Sequence, residues 1–465
     1  MEEKYGNVIE EFHAPSKNKL IIIQDFHCNP DVQKNIYKII KSITEHVKSF
    51  IVIGAEGTPV SRIDTGILDA IKDTKIKNTI IQNLLSSGKL KGEELFMLYE
   101  KPEDIELYGL ENSEIYNQNF KLLLKSQENN IAIKPILNEL SRKINYVGNK
   151  IFLQNILNLI KTEQAYMRSK MSLSDYITSL IAASKNYNIF LRNDYKNLQL
   201  VLNSQRIRKL TNLSVVNIEA VQLEKALLNH LNNDQKRVLL NYSKNKGKNY
   251  FIYLNNLIKL YNFSDSEKLP NLHKYLNYLE LQNSIDFSKL IEELNDFQFE
   301  IGLYMTKGTG FGEKLWYLRR YINLLEKYLF NNITHYQYEK WNSEKQIFLK
   351  ELKRFANKFY GPKYFEKIKH IIYDSIDTME SFYLLADKRD EVLTQNMLRL
   401  LTTFETNKST IGIMIAGGFH IRGITKNLRS RAVAYDVIIP SMPDKISKKL
   451  YLERINEQAD LYTGN

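Results

Sequence analysis

The sequence feature that most constrains the fold is a short apolar run, Ile411 to Ala416, followed by Gly-Gly-Phe-His420. Six apolar or small residues in succession, ended by paired glycines, predict a strand that is buried on both faces of a sheet. The run therefore places His420 at the carboxyl end of a strand. In an open parallel sheet ligands bind at this edge, so other strands that end in polar residues are candidates for the same site.

Three further runs of this kind occur in the N-terminal part of the chain, and each is followed by a polar residue. They are Lys19 to Ile23 before His27, Phe50 to Ile53 before Glu56, and Ile105 to Leu110 before Glu111. Apolar residues at three- and four-residue spacing after Asn29 predict a helix between the first two runs. A strand, a helix and a strand in succession predict a parallel crossover, so we expect His27 and Glu56 to end adjacent strands.

From about 115 to 385 the strand-like runs are replaced by segments with helical periodicity, such as Leu315 to Leu329. We therefore predict an α/β fold with a mainly parallel sheet built from both chain ends, interrupted by a large all-helical insertion. The predicted domains are 1–114 and 386–444 for the two parts of the α/β domain, 115–385 for the insertion, and 445–465 for a C-terminal tail. The insertion is expected to cover the carboxyl edge of the sheet, with a separate packing or oligomerisation domain as the alternative.

Composition narrows the classes of partner. The net charge is +12, but the basic residues are spread over solvated helix faces, so we do not expect nucleic-acid binding. Cys28 is the only cysteine, which excludes an intrachain disulfide and a thiolate zinc site. Neither a signal peptide nor a membrane span is recognisable, so we expect a soluble chain, cytoplasmic or exported with its leader removed, of open oligomeric state.

A fifth candidate is Asp390, which occupies a core position in the apolar pattern of a helix predicted from about 386 to 404. Together with His27, Glu56 and His420 it suggests a hydrolytic site. Two imidazoles and a carboxylate are ligands for a divalent metal, whose bound water is nucleophilic near neutral pH. Without a metal, a histidine oriented by a carboxylate is a general base. Either interpretation leads to hydrolysis of an ester or amide in a small molecule or peptide.

Several of the candidates also have a structural interpretation. His420 could be a turn histidine bonded to the backbone, and Glu111 could cap a helix that starts near Ser113. Asp390 could favour the first turn of its helix, with Arg389 as its ion-pair partner, or it could orient a site histidine. The glycines 417 and 418 suit a tight turn as well as close approach of a ligand, so Gly417, Gly418 and Glu111 are candidates for cofactor binding.

These residues resemble the Tiki/TraB/erythromycin-esterase-like superfamily, which includes the ChaN-type haem-binding proteins. Gly-Gly-Phe-His420 is similar to its Gly-x-x-His motif, and the strands ending in His27 and Glu56 are similar to its N-terminal pair. Arg389-Asp390 resembles the Arg-Asp pair of the erythromycin-esterase branch. Tyr-Gly-Leu-Glu111 resembles a Gly-x-Glu segment of related bacterial proteins.

The resemblance implies a hydrolase in which His27, His420 and Glu56 are metal ligands or, without metal, the base and its proton acceptor. Arg389 and Asp390 would support them. A divalent metal ion is the expected cofactor. The alternative is a non-catalytic protein of the same fold that binds haem or a similar porphyrin.

Overall fold

The structure is a computed structural model, and it describes residues 5–15, 18–47, 49–244, 246–263, 268–404 and 410–441. The predicted C-terminal tail, 445–465, lies outside the described residues. The chain divides into two compact units. The first comprises Met1–Arg142 and Tyr321–Asn465, and the second comprises Lys143–Arg320.

The first unit contains a sheet, which has six strands in the described part of the chain. They are β1 (Gly6–Phe12), β2 (Lys19–Asp25), β3 (Phe50–Pro59), β4 (Ile105–Glu111), β5 (Thr410–Gly417) and β6 (Ala434–Pro440). Their order is β1-β6-β2-β5-β3-β4, and all neighbours are parallel except β1 with β6. Strands from both chain ends are therefore interleaved in one mainly parallel sheet, which confirms the predicted α/β fold.

The remaining regular structure in the described residues is helical. A 3-10 helix spans Gly66–Ala70. The α-helices are α1 (Pro30–His46), α2 (Thr74–Ser86), α3 (Gly92–Glu100), α4 (Ser113–Ile151), α5 (Gln154–Met167), α6 (Leu173–Lys185), α7 (Lys196–Lys209), α8 (Leu213–Leu227), α9 (Asn233–Ser243), α10 (Lys248–Tyr261), α11 (Pro270–Asn283), α12 (Phe287–Thr306), α13 (Phe311–Leu329), α14 (His335–Tyr360), α15 (Pro362–Thr403) and α16 (Ile421–Ser430).

The sheet separates two apolar cores, because successive side chains of a strand point to opposite faces. The first core lies against α15 and α16 and includes Ile22, Met414, Met397 and Ile424. The second lies against α1 and α3 and includes Ile23, Ile415, Ile36 and Phe96. Helices on both faces explain why the central strands carry continuous apolar runs, without alternating polar residues, before their carboxyl ends.

The prediction that β2 and β3 are adjacent is wrong, because β5 lies between them. Ile22 of β2 pairs with Met414, and Val52 of β3 pairs with Gly412 on the other side of the same strand. The local pattern of strand, helix and strand predicts parallel direction, but it carries no information about a strand that arrives from a distant part of the chain. The ends of β2 and β3 still lie at one edge of the sheet, with the end of β5 between them.

Two elements differ from the sequence prediction. β1 has no apolar run, since it is an edge strand whose Val8 and Ile9 are exposed, and it was not predicted. The helix expected from about 386 is the final part of α15, which begins much earlier, at Pro362. Asp390 therefore lies in the interior of a long helix and not in its first turn.

All regular structure in the described part of the second unit is helical. A core formed by α8, α10 and α11 includes Leu223, Leu254 and Leu276. The helical character predicted between β4 and β5 is thus confirmed. None of the helices described is both long enough and apolar enough to cross a membrane.

Candidate functional site

The candidate residues at strand ends come together at the carboxyl edge of the sheet. β2 and β5 are neighbours, and Asp25 at the end of one pairs with Gly417 at the end of the other. His27 and His420 follow these two residues in the chain. They therefore lie at neighbouring strand ends, as the site hypothesis requires.

His27 is oriented by a buried carboxylate. Its Nδ1 lies 2.5 Å from Asp25 Oδ2, and Asp25 Oδ1 accepts a hydrogen bond of 2.6 Å from Gln33 Nε2. Gln33 is fixed in turn, because its Oε1 accepts from the main-chain N–H of Gly92 at 2.7 Å. Asp25 and Gln33 are buried, whereas 37% of the His27 side chain is exposed. The imidazole is thus held by buried groups at Nδ1, while part of the ring remains accessible to solvent.

Desolvation alone would lower the pKa of His27, but the charge of Asp25 and its hydrogen bond outweigh that effect. The pKa of His27 is therefore raised above its ordinary value of 6.5. The pKa of Asp25 moves the opposite way: burial would raise it, and the charge and hydrogen bond of His27 hold it below its ordinary value. The pair behaves as a carboxylate and a strengthened imidazole base.

The Glu56 carboxylate lies at the centre of the site and is 8% exposed. Its Oε2 accepts a hydrogen bond of 2.6 Å from the main-chain N–H of Gly417, and its Oε1 accepts from Arg389 at 2.8 Å. The same Oε1 lies 3.2 Å from His420 Nε2. Burial would raise the pKa of Glu56, but the charges of His420, Arg389 and His27 hold it well below its ordinary value.

Arg389 joins the ends of β3 and β4. Its guanidinium donates to Glu56 and to Glu111, where the shortest distance is 2.5 Å to Oε1. A further hydrogen bond of 3.1 Å goes to Asn119 Oδ1 of α4. Arg389 is buried, and its ion pairs are with these two glutamates, not with Asp390.

His420 is held between two carboxylates and is 6% exposed. Nδ1 contacts Asp390 Oδ1, and Nε2 faces Glu56. Desolvation would lower the pKa of His420, but the Glu56 charge and the hydrogen bonds to Asp390 and Glu56 raise it to about 9. Burial raises the pKa of Asp390 to about 6. At neutral pH the ring is therefore an imidazolium that donates from both nitrogens.

Glycines allow this close packing. A Cβ at Gly423 of α16 would lie 1.8 Å from Asp390 Oδ2, so only glycine lets α16 approach α15 here. A Cβ at Gly417 would lie 3.0 Å from His27 Nε2 and 3.3 Å from Glu56 Oε2. Gly417 therefore leaves room for both groups beside the end of β5. At Gly418 the neighbour is the side chain of Gln24, at 2.5 Å from such a Cβ.

Helix capping does not account for Glu111. Asn112 caps α4, because its Oδ1 accepts from the main-chain N–H groups of Glu114 and Ile115 at 3.0 Å. Glu111 instead accepts from Arg389, and also from the main-chain N–H of Gly57 at 3.2 Å. It belongs to the buried ion-pair network and not to the helix start.

The contacts bear on the metal interpretation. In the described part of the chain no group of three or more His, Cys, Asp and Glu side chains is arranged to hold a metal ion. Both nitrogens of His420 and both oxygens of Glu56 already have partners, and the positive charge of Arg389 lies against Glu56. Arranged in this way, the residues do not fit a dication. They favour the metal-free interpretation, while the metal-dependent one stays a prediction.

Several residues of the site were missed by sequence reasoning. They are Asp25, Gln33, Lys91, Tyr116, Asn119 and Gly423. The position of Asp25 could have been recognised, because this residue ends a strand two residues before His27. Side chains alternate between the two faces of a strand, which places the Asp25 side chain on the face that packs against α1. Lys91 had no such signal: its Nζ donates to the main-chain oxygen of Glu56 at 2.7 Å through a contact that only the tertiary fold creates.

A surface pocket of about 420 Å³ lies in the second unit, lined by residues that include Asn255, Lys259 and Glu280. None of the candidate-site residues lines this pocket. We place the candidate site at the sheet edge, because the oriented imidazole and the buried ion pairs are there.

No protein-family model, no curated protein and no solved structure matches the chain. The likeness to the Tiki/TraB/erythromycin-esterase-like superfamily rests on the motifs alone.

Proposed function

We propose that the protein hydrolyses ester or amide bonds with His27 as the general base. The observation that carries the proposal is an exposed imidazole whose Nδ1 is bonded to a buried carboxylate, Asp25, which is itself held by Gln33. This arrangement fixes the ring orientation and places the proton on Nδ1, so that Nε2 can accept one. The substrate is a small molecule or a peptide.

The reaction follows from this geometry. His27 Nε2 removes a proton from a water molecule as the water oxygen forms a bond to the acyl carbon. The tetrahedral intermediate then collapses, the bond from carbon to the leaving oxygen or nitrogen breaks, and the leaving group takes the proton from Nε2. The Asp25 charge stabilises the imidazolium between the two steps.

The buried residues position this base. The imidazolium of His420 and the guanidinium of Arg389 hold the Glu56 carboxylate in place from one side. Glu56 Oε2 and His27 Nε2 border the same space beside Gly417, since a Cβ there would meet both atoms. The fixed negative charge of Glu56 favours the protonated form of His27, which strengthens it as a base. His420, Asp390 and Arg389 act through Glu56, so they are positioning residues.

The test is a comparison of two histidine variants on a panel of chromogenic esters, lactones and anilides. His27→Ala should lower kcat roughly 10²- to 10⁴-fold, the usual contribution of a general base. His13→Ala is the matched control, because His13 also lies near a carboxylate two residues before it, at 3.8 Å from Glu11, but in a solvent-exposed position. Equal loss in both variants, or no turnover of any substrate by the wild type, would contradict the proposal.

The pH profile offers an independent readout. Because the pKa of His27 lies above 6.5, kcat should rise with pH through an apparent pKa higher than that of a free histidine. Asp25→Asn removes the charge that raises this pKa and should move the ascending limb to lower pH while lowering the maximum rate.

Binding of haem without catalysis stays the alternative prediction. It is tested by titrating haem into the wild type and into His27→Ala and recording the visible spectrum. An axial imidazole from His27 would give a spectral change that the variant lacks.

A further inference from the structure

We propose that Lys91 and Tyr116 form a subsite that holds an oxygen atom of the ligand, the acyl oxygen of the substrate in the proposed reaction. This inference deepens the proposed hydrolysis and rests on it for the identity of that oxygen. The binding property itself can be measured separately. Neither residue belongs to the motifs that the sequence offers.

Lys91 brings a positive charge to the site. It lies just before α3, is partly buried, and uses one N–H of its ammonium group to donate to the Glu56 main-chain oxygen at 2.7 Å. An ammonium group has three N–H donors, so others remain for a ligand. Desolvation would lower the pKa of Lys91, but Glu93, Glu94, Asp25 and Glu56 raise it, which keeps the group charged throughout the neutral range.

Tyr116 supplies a neutral donor. It lies in the first turn of α4, and its ring centroid is 5.2 Å from the guanidinium of Arg389. Within the described residues its hydroxyl has no hydrogen-bond partner, although the ring is partly buried. Burial raises the pKa of Tyr116, so the hydroxyl keeps its proton and can donate. The charges that act on it are those of Arg389, Lys91, Glu111 and Glu56.

The two donors flank the ion pair of Glu56 and Arg389: Lys91 donates to the main chain of Glu56, and the Tyr116 ring lies 5.2 Å from the guanidinium of Arg389. Glu56 also borders the base, because a Cβ at Gly417 would meet both Glu56 Oε2, at 3.3 Å, and His27 Nε2, at 3.0 Å. Lys91 also lies close enough to act on the pKa of His27. A group bound at Lys91 and Tyr116 is therefore placed next to the imidazole.

The partly exposed groups of the site differ in character from the buried ones. Asp25, Glu56 and Glu111 are buried, and each already accepts hydrogen bonds from protein groups. Apart from His27, the partly exposed groups described at the site, Lys91 and Tyr116, can both donate. A ligand that reaches His27 thus meets donors suited to an oxygen with partial or full negative charge. Donors placed at the developing oxyanion of acyl transfer contribute roughly 10²- to 10³-fold to kcat each.

The probe is methylphosphonate, a small tetrahedral oxyanion, titrated into protein with labelled histidine and tyrosine rings and followed by NMR. The His27 signal is assigned among the eight histidines by its loss in His27→Gln. In the wild type methylphosphonate should shift the signals of both His27 and Tyr116. Tyr116→Phe, which keeps the ring on Arg389, and Lys91→Met should each weaken binding roughly tenfold or more, the usual cost of losing a hydrogen bond to a charged group.

Tyr146→Phe is the control, since Tyr146 is exposed and belongs to the second unit. Its affinity for methylphosphonate should equal that of the wild type. Absence of binding by the wild type, or equal affinity in the Tyr116, Lys91 and Tyr146 variants, would overturn the subsite.

Hydrolysis measured on the same variants separates the two proposals. If the wild type and Tyr116→Phe hydrolyse ester with the same kcat while His27→Ala is inactive, the subsite is refuted and the proposed function stands. If methylphosphonate binding depends on Tyr116 and Lys91 but no substrate is hydrolysed, the subsite is supported and the proposed function is refuted.

Discussion

Raising the pH from about 6.5 to about 9.5 should destabilise the sheet-containing unit, because His420 loses the proton that it donates to its flanking carboxylates. The ring is almost fully buried, with Asp390 at Nδ1 and Glu56 at Nε2. Loss of one proton leaves one of these two carboxylates without its donor. The buried position of His420 between two carboxylates should therefore make the free energy of unfolding fall at alkaline pH.

The magnitude follows from the pKa. In the folded chain the pKa of His420 is about 9, against an ordinary value of 6.5. Because the folded pKa is the higher one, the stabilisation is fully present below about pH 6.5 and is lost as the pH rises through about 9. The difference corresponds to about 3 kcal/mol. Asp390 titrates at about 6, so it does not contribute in this range.

The assay is urea unfolding followed by tryptophan fluorescence. The chain has two tryptophans, Trp316 in the second unit and Trp341 in the first. A Trp316→Phe background leaves Trp341, which is fully buried in α14, as the reporter of the sheet-containing unit. Between pH about 6.5 and about 9.5, the free energy of unfolding of the Trp316→Phe protein should fall by about 3 kcal/mol more than that of the Trp316→Phe protein that also carries His420→Gln.

His420→Gln is the matched control, since glutamine can still donate one hydrogen bond but has no proton to lose in this range. Tyrosines and lysines that titrate at alkaline pH affect both proteins equally and cancel in the difference. If the two proteins lose the same stability over this pH range, His420 is not the imidazolium that the two carboxylates require, and the reasoning is refuted.

Three further perturbations test the packing and the cofactor. Arg389→Met should lower the free energy of unfolding in urea by about 3–5 kcal/mol, because it leaves the buried carboxylates of Glu56 and Glu111 without their cation. Replacing both glutamates by glutamine in this variant should recover part of the lost stability. Gly423→Ala should lower the free energy of unfolding by about 1–3 kcal/mol, because the added methyl group clashes with the Asp390 carboxylate. The loss should be smaller when Asp390 is also replaced by alanine. Treatment with EDTA should leave the hydrolytic rate unchanged, whereas activity that is lost on chelation and restored by a divalent ion would establish the metal-dependent alternative.

Much of the architecture was predictable from local sequence. The apolar runs that form β2 to β5 are strands because short runs bounded by glycine or polar residues cannot bury themselves in any other way between two helical layers. The helix predicted to follow Asn29 is α1, and the Asn29 side chain caps it by accepting from the main-chain N–H groups of Asp31 and Val32. The residues that follow the strands were therefore correctly placed at one edge of the sheet.

Other features had no local signature. β1 is an edge strand, most of whose residues are exposed or half-buried, so it lacks an apolar pattern. The insertion of β5 between β2 and β3 depends on contacts between residues far apart in sequence. The order of strands in a sheet depends on which strands pair with each other, and the composition of a single strand does not determine its partners.

By itself, the sequence determined which polar residues end strands and that the chain ends share a sheet, because burial and hydrogen bonding impose periods of two and 3.6 on local segments. Only the tertiary structure decided which charges meet. It placed Arg389 between Glu56 and Glu111, and His420 between Glu56 and Asp390. The physical reason is that a buried charge needs a partner close in space, and the sequence separation of that partner is unconstrained.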